Sequence, residues 1–198
     1  MRQTAENVLQ KVNHKSFRAT MGLFATGVAV VTTEWNGRMF GTTINSLTSV
    51  SLDPCLLLVC LKKQSETGET IKRHGQFAVS LLSEAQRDLS DRFVRKDHDR
   101  FAGLEIIRSE TGLPMLADAL AHFCCEVRSV HEGGDHDIIV AEVHACRQRD
   151  GQPLVFYRGA YGGLSLERSH CLDAGAAEIA ARSRGSFADD QLRAACML

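Results

Sequence analysis

"VAVVTTEWNGRMFGTTIN", residues 28–45, places Asn36-Gly37 between two runs rich in β-branched and aromatic side chains. Asn-Gly tolerates the positive backbone angles that a two-residue hairpin turn needs, so the stretch reads as two antiparallel strands joined tightly. Working outward, "CLLLVCL" (55–61) and "FAVSLL" (77–82) suit a pleated, buried surface. "HFCCEVRSVHE" (122–132) and "DIIVAEVHACRQ" (137–148) read as two long strands joined at Gly133-Gly134, and "PLVFYRG" (153–159) as a last strand. Many strands with hairpin-length links predict a mainly β fold, an antiparallel barrel rather than a doubly wound parallel sheet. No GxGxxG follows the first strand and no fixed repeat is present.

Three short helices flank these strands. "SFRATMGLFA" (16–25) spaces Phe17, Met21 and Phe24 as one apolar face behind a Ser16 cap, and is expected to cover one side of the sheet. "KKQSETGETIKRHG" (62–75) offers Ser65 or Thr67 as a cap and Gly75 as a stop. Ser83 with Gln86 forms a capping-box pattern ahead of Leu89 and Phe93, before the polar loop "RKDHDR". From Ser165 the composition changes to an Ala-rich, helix-prone tail with little to pack.

The 198 residues fit one domain plus an appendage, and 23 basic residues nearly cancel 24 acidic ones. No Lys/Arg run marks a nucleic-acid groove, so no nucleic-acid partner is expected. The longest apolar run, Cys55 to Leu61, is far short of the ~20 residues of a membrane span, and residues 1–16 carry no apolar signal core. No membrane association and a cytosolic protein are expected. The seven cysteines contain no CxxC pair and read mostly as reduced, buried small hydrophobes, with Cys124 and Cys125 on opposite faces of one strand.

Three stretches could carry chemistry. In "GTTINSLTSVSLDP" (41–54) seven of fourteen residues are Ser, Thr or Asn and one is charged. Such density suits either a neutral heterocycle with several polar atoms or hydroxyls that simply cap turns. The start of the 62–75 helix, with Lys62 and Lys63 just upstream, is either an anion site suited to phosphate or an ordinary cap. "HEGGDHD" (131–137) crowds His131, Asp135, His136 and Asp137 at one glycine turn, with His144 further along. A plain hairpin turn, a ligand-positioning turn with His136 in a cleft, and a metal cluster are the three readings, the last disfavoured by the crowding. No GxSxG elbow or marked cysteine nucleophile supports a hydrolase.

Taken in order, "FATGVAVVTT", "GTTINSLTSVSLDPCLLLVCL", "SET", "FAVSLLSEAQRDLSDRF", "RFAG", "HEGGDHDIIVAEV" and "PLVFYRGAYGGL" closely resemble the short-chain NAD(P)H:flavin oxidoreductases, reductase partners of two-component flavin-dependent monooxygenases. The resemblance spans residues 16–164, leaving 1–15 as an N-terminal segment and 165–198 as a C-terminal extension. It implies a Greek-key split β-barrel, a homodimer, FMN or FAD near the subunit boundary, NADH or NADPH as co-substrate and a monooxygenase that receives reduced flavin. Thr42, Thr43, Asn45, Ser46, Ser49 and Val50 are implied to line the isoalloxazine and ribityl chain, and Leu61, Lys62, Ser65 and Thr67 the ribityl and phosphate. Gly134, Asp135 and His136 match the family's nicotinamide-side motif, with His136 orienting the nicotinamide. Phe93 and Arg95 are implied to border the flavin, and Tyr157, Arg158 and Tyr161 to frame the pocket. Pro54-Cys55 departs from the family's usual Pro-Pro. A tight FMN oxidase of the pyridoxamine-phosphate type and a non-enzymatic flavin-binding module are the rival readings on the same barrel.

Overall fold

The computed structural model describes residues 9, 11–95 and 99–165. The helix-prone tail expected after Ser165 and part of the "RKDHDR" loop lie outside them. In chain order the elements are α1 (His14–Met21), β1 (Thr26–Gly27), β2 (Ala29–Trp35), β3 (Arg38–Ile44), β4 (Thr48–Leu52), β5 (Cys55–Lys62), α2 (Glu66–His74) and β6 (Gln76–Leu81). A single 3-10 turn at Glu84–Gln86 leads into α3 (Arg87–Val94). There follow β7 (Ile106–Arg108), β8 (Pro114–Leu116), β9 (Ala121–Gly133), β10 (His136–Gln148), β11 (Val155–Tyr157) and β12 (Ala160–Gly162).

Seven strands form an antiparallel sheet in the order β3-β2-β6-β9-β10-β5-β4, β1-β11-β12 form a second sheet, and β7-β8 a two-stranded ribbon. The edges of the large sheet, β3 and β4, are consecutive in the chain and joined by Asn45, Ser46 and Leu47 alone. Laid flat, the six spacings between seven strands would put those edges about 29 Å apart. The four peptide steps from Ile44 to Thr48 reach at most about 15 Å, so the sheet must curl.

Curling gives the sheet an inside and an outside, and β2 is buried on both. Ala29 and Val31 face the inner core with Val59, Leu61, Phe77, Val79 and Ile139, into which α2 inserts Ile71. Val28 and Val30 face an outer cluster with Phe93 of α3, Phe101, Leu116 and Leu154. This two-sided burial explains why β2 reads as an unbroken apolar run rather than an alternation. Gly41 of β3 admits α3: a Cβ there would lie 2.7 Å from the Phe93 ring.

Local signals behave as their chemistry dictates. Asn36 and Gly37 take φ of 51° and 75° in the β2–β3 turn. Ser65 caps α2 by accepting the Gly68 N–H at 3.2 Å, and Gly75 ends it at φ 78°. Ser83 and Gln86 form the expected capping box. Cys125 packs in the inner core while Cys124 turns toward Met115 on the other face.

Five expectations are corrected. Asn13, not Ser16, caps α1, with Ser16 returning the bond as the other half of a capping box. The helix covers no sheet; Phe17, Met21 and Phe24 remain 60%, 51% and 70% exposed, because α2 and the α3 cluster already occupy the faces of β2. The single strand expected over 153–159 is instead a hairpin, β11–β12, turning at Arg158 and Gly159 with φ of 51° and 81°; positive φ is uncommon for Arg, which hides the turn. Of five described cysteines only Cys125 is buried, and Cys55 and Cys146 are exposed. The β9–β10 turn also sits one residue later than expected, at Gly134-Asp135. Among the described residues no helix is long and apolar enough to cross a membrane.

His122 of β9 is buried, with Nε2 2.8 Å from the Leu116 carbonyl and Nδ1 3.1 Å from Arg147 Nε. Arg147 can only donate, so the ring is the neutral Nε2–H tautomer, and burial pushes its pKa below the ordinary histidine value. In the unfolded chain this ring takes up a proton below about pH 6.5, while the folded ring resists, so the unfolded state binds more protons and stability falls as pH drops through that window. The denaturation midpoint should therefore fall between about pH 7.5 and about pH 5.5, and His122→Gln should flatten that slope. Equal slopes for the two proteins would contradict it.

Candidate functional site

Along β5 the side chains alternate. Leu57, Val59 and Leu61 enter the inner core, which leaves Cys60 and Lys62 on the outer face. Against that outer face, where the β3–β4 link meets the β1–β11–β12 sheet, lies a cavity of about 850 Å³. Asn45 and Ser46 of the link, Thr48 of β4, Cys60, Thr26 of β1 and Phe156 of β11 line it.

The polar lining divides into occupied and free groups. Ser46 Oγ donates to the Cys60 carbonyl at 2.9 Å and accepts the Cys60 N–H at 3.1 Å. β4 pairs with β5 only as far as Thr48↔Leu58, so this hydroxyl replaces the missing ladder partner and holds the cavity wall. Asn45 is exposed, and its side chain makes no hydrogen bond among the described residues. Thr26 Oγ1 is buried with no partner among the described residues. A buried hydroxyl left unpaired costs about 1–3 kcal/mol.

The β5–β10 register puts Ile138 beside Cys60 and His136 beside Lys62. His136 and Lys62 thus share the face of Cys60, about 7 Å further along the strands. The turn preceding His136 is tied down by Lys63 N–H donating to the Asp135 carbonyl at 3.0 Å, and Ser65 N–H donates to the Lys62 carbonyl at 3.1 Å. Asp135 Oδ1 sits 2.9 Å from His136 Nδ1, and His136 holds this carboxyl below the usual carboxylate range. A carboxylate at Nδ1 keeps the proton there and leaves Nε2 free. Behind the turn, Lys72 Nζ reaches Asp137 at 2.8 Å and Glu69 at 2.7 Å, joining α2 to β10. These carboxylates, Asp137 foremost, raise the Lys72 pKa.

The structure therefore brings Asn45, Ser46, Lys62, Ser65, Gly134, Asp135 and His136 along one side and end of the sheet. Other residues singled out in the sequence lie behind or beside it. Thr42 shares the inward side of β3 with Ile44, Leu61 and Thr67 are buried, and Phe93 is wholly buried in the outer cluster. Thr43 Oγ1 donates to the Ser90 carbonyl at 2.7 Å, and Ser90 Oγ meets the Tyr161 hydroxyl at 2.7 Å, so Thr43 and Tyr161 brace α3. The Arg95 carbonyl accepts from Arg100 Nε at 2.6 Å. Ser49 and Val50 are exposed on β4, and Arg158 lies over the Tyr157 ring at 5.7 Å. Sequence reasoning missed Arg18, Thr26, Thr48, Cys60 and Phe156 in the lining. For Cys60 the strand alternation was a usable signal; for Thr26, only its place just before the buried run of β2.

No carboxylate lines the cavity, and burial raises the Cys60 thiol pKa, keeping it neutral at pH 7. Walls with a free amide, no carboxylate and a single cation, Arg18, suit a planar polar heterocycle, with further cations and helix-start amides beyond one end for an anionic chain. Such a site holds two small molecules against each other better than it performs hydrolysis.

Residues 21–165 match the family described as "Flavin reductase like domain". The reductase subunit HsaB of a flavin-dependent monooxygenase from Mycobacterium tuberculosis is 38% identical over 165 residues, covering 80% of this chain and 87% of the relative. The FMN reductase (NADH) SmoA of Agrobacterium fabrum is 41% identical over 155 residues, 78% of this chain and 88% of the relative. The NADH:FAD oxidoreductase SgcE6 of Streptomyces globisporus, solved in complex with NAD and FAD fragments, superposes with a TM-score of 0.76 at 31% identity, covering 81% of this chain and all of that one. With its curled antiparallel sheet and a family match over most of its length, the chain belongs to the flavin reductase-like family.

Proposed function

We propose that this chain transfers a hydride from NADH or NADPH to FMN or FAD in the 850 Å³ cavity and hands reduced flavin to a partner monooxygenase. It is an NAD(P)H-dependent flavin reductase. The observation that carries the reading is the carboxylate-free cavity, with its free Asn45 amide, on the face of β5 that also bears Lys62, beside His136.

The flavin supplies the hydride acceptor and the nicotinamide the donor. Asn45 offers hydrogen bonds to the heteroatoms of the ring, while Ser46 keeps the wall in place through Cys60. Lys62 and the amides at the start of α2 favour the phosphorylated chain. His136, with Nδ1 tied to Asp135, presents Nε2 to the nicotinamide carboxamide. Mostly neutral contacts give the moderate affinity required of a flavin that leaves with its electrons.

On this reading residues 16–164 form the reductase domain, its curled sheet a Greek-key split barrel, and the cytosol is its compartment. Two copies pair, and the exposed apolar side of α1, bearing Phe17 and Met21, with Phe24 just beyond it, supports α1 as part of the contact.

Purified protein mixed with a flavin and NADH or NADPH should oxidise many equivalents of nicotinamide per subunit; no turnover with any pairing would reject the assignment. His136→Ala should raise the nicotinamide KM about tenfold and leave flavin affinity within about twofold; equal losses in both would contradict the role given to the turn. Asn45→Ala should weaken flavin binding about fivefold without lowering the melting temperature, since the exposed amide makes no hydrogen bond among the described residues. Unchanged flavin affinity would show that Asn45 does not face the ligand.

A further inference from the structure

A second open cavity, about 760 Å³, adjoins the first and shares Arg18, Gly22 and Gly159 with it. Its charged lining is wholly basic: His14, Lys15 and Arg18 of α1 and Arg158 of the β11–β12 turn, with only Ala19 and two glycines besides. Among the described residues none of these four side chains forms a salt bridge. Two backbone contacts fix the arrangement, Gly22 N–H donating to the Arg18 carbonyl at 3.0 Å and Arg158 N–H donating to the Gly22 carbonyl at 2.8 Å.

The charges also run against the helix that bears them. His14 and Lys15 are the first two residues of α1, and its first turn has no acidic residue. The N-terminal end of a helix already carries positive partial charge, so basic residues there are unfavourable and an anion is stabilising. No packing within the subunit explains the placement, because every residue of α1 is exposed. A local electrostatic conflict without a packing reason points to a ligand.

We infer that this basin binds the diphosphate of the nicotinamide dinucleotide, whose reactive ring enters the adjoining cavity, with Arg18 at the boundary between the two. The inference rests on the flavin reductase reading. FAD is not the occupant, because its ribityl phosphate, like that of FMN, is placed near Lys62 and Ser65.

The test uses the full chain with Lys15→Glu, at an exposed position that lines the basin but not the flavin cavity and at a helix start where an acidic residue is tolerated. Flavin fluorescence titrations without nicotinamide compare FAD with FMN, and the nicotinamide KM is measured with FMN as the flavin. Both flavin affinities should hold within about twofold while the nicotinamide KM rises about tenfold. Lys15→Arg should retain most of the affinity, and the loss should shrink with added salt. A selective rise in the FAD Kd with the nicotinamide KM unchanged would overturn the inference. Equal weakening of FMN and FAD, or no change in any of the three quantities, would overturn the inference. Absence of flavin binding or turnover in the unsubstituted protein would instead count against the reductase reading.

Discussion

Three residues, Asn45, Ser46 and Leu47, hold the two edges of a seven-stranded sheet within one short span of chain. That constraint curls the sheet, and the curl decides which side of each strand becomes core. It also ends the β4–β5 ladder two residues short of Cys60, exposing a backbone amide and carbonyl that Ser46 satisfies with a single hydroxyl. The cavity begins at that point. A wall made from a ladder's end is rich in small polar groups because orphaned backbone must be paired, and the groups left over remain free to meet a ligand.

Electrostatics divides the surface around this wall. The ring-sized cavity contains no carboxylate and a thiol held neutral, while cations lie at its edge and beyond it, Lys62 and Lys63 near the start of α2 and the basic group on α1, of which Arg18 reaches the lining. A planar neutral ring with anionic extensions matches this distribution. The Lys72 contacts to Asp137 and Glu69 couple α2 to β10, so the helix start at Ser65 and the turn at His136 move as one unit. Rigid spacing between those two features serves a reaction that depends on stacking two rings correctly.

Much of this was legible in the sequence because it depends on local chemistry. The Asn36-Gly37 turn, the Ser65 cap, the Gly75 stop and the Ser83–Gln86 box each follow from what a few neighbouring atoms can do. What escaped depends on distant partners. A density of hydroxyls cannot say which are spent on backbone, as those of Ser46 and Thr43 are, and which, like Thr26, are unpaired. The apolar spacing of α1 correctly marked a helix but not its surroundings, since other elements had taken the sheet faces. Arg158 at positive φ concealed a hairpin that forms one side of the site. The family resemblance identified the region of the site; the coordinates separate the residues that line it from those that support it.

The central claim is that the outer-face cavity, not another depression, receives the isoalloxazine ring. A crystal structure of the protein with bound FMN or FAD tests it most directly. The ring is predicted to lie against Asn45, Thr26 and Cys60, with its phosphorylated chain running toward Lys62 and Ser65. A ring seated instead in the depression between α3 and β8, near Gln86 and Leu116, would contradict the account.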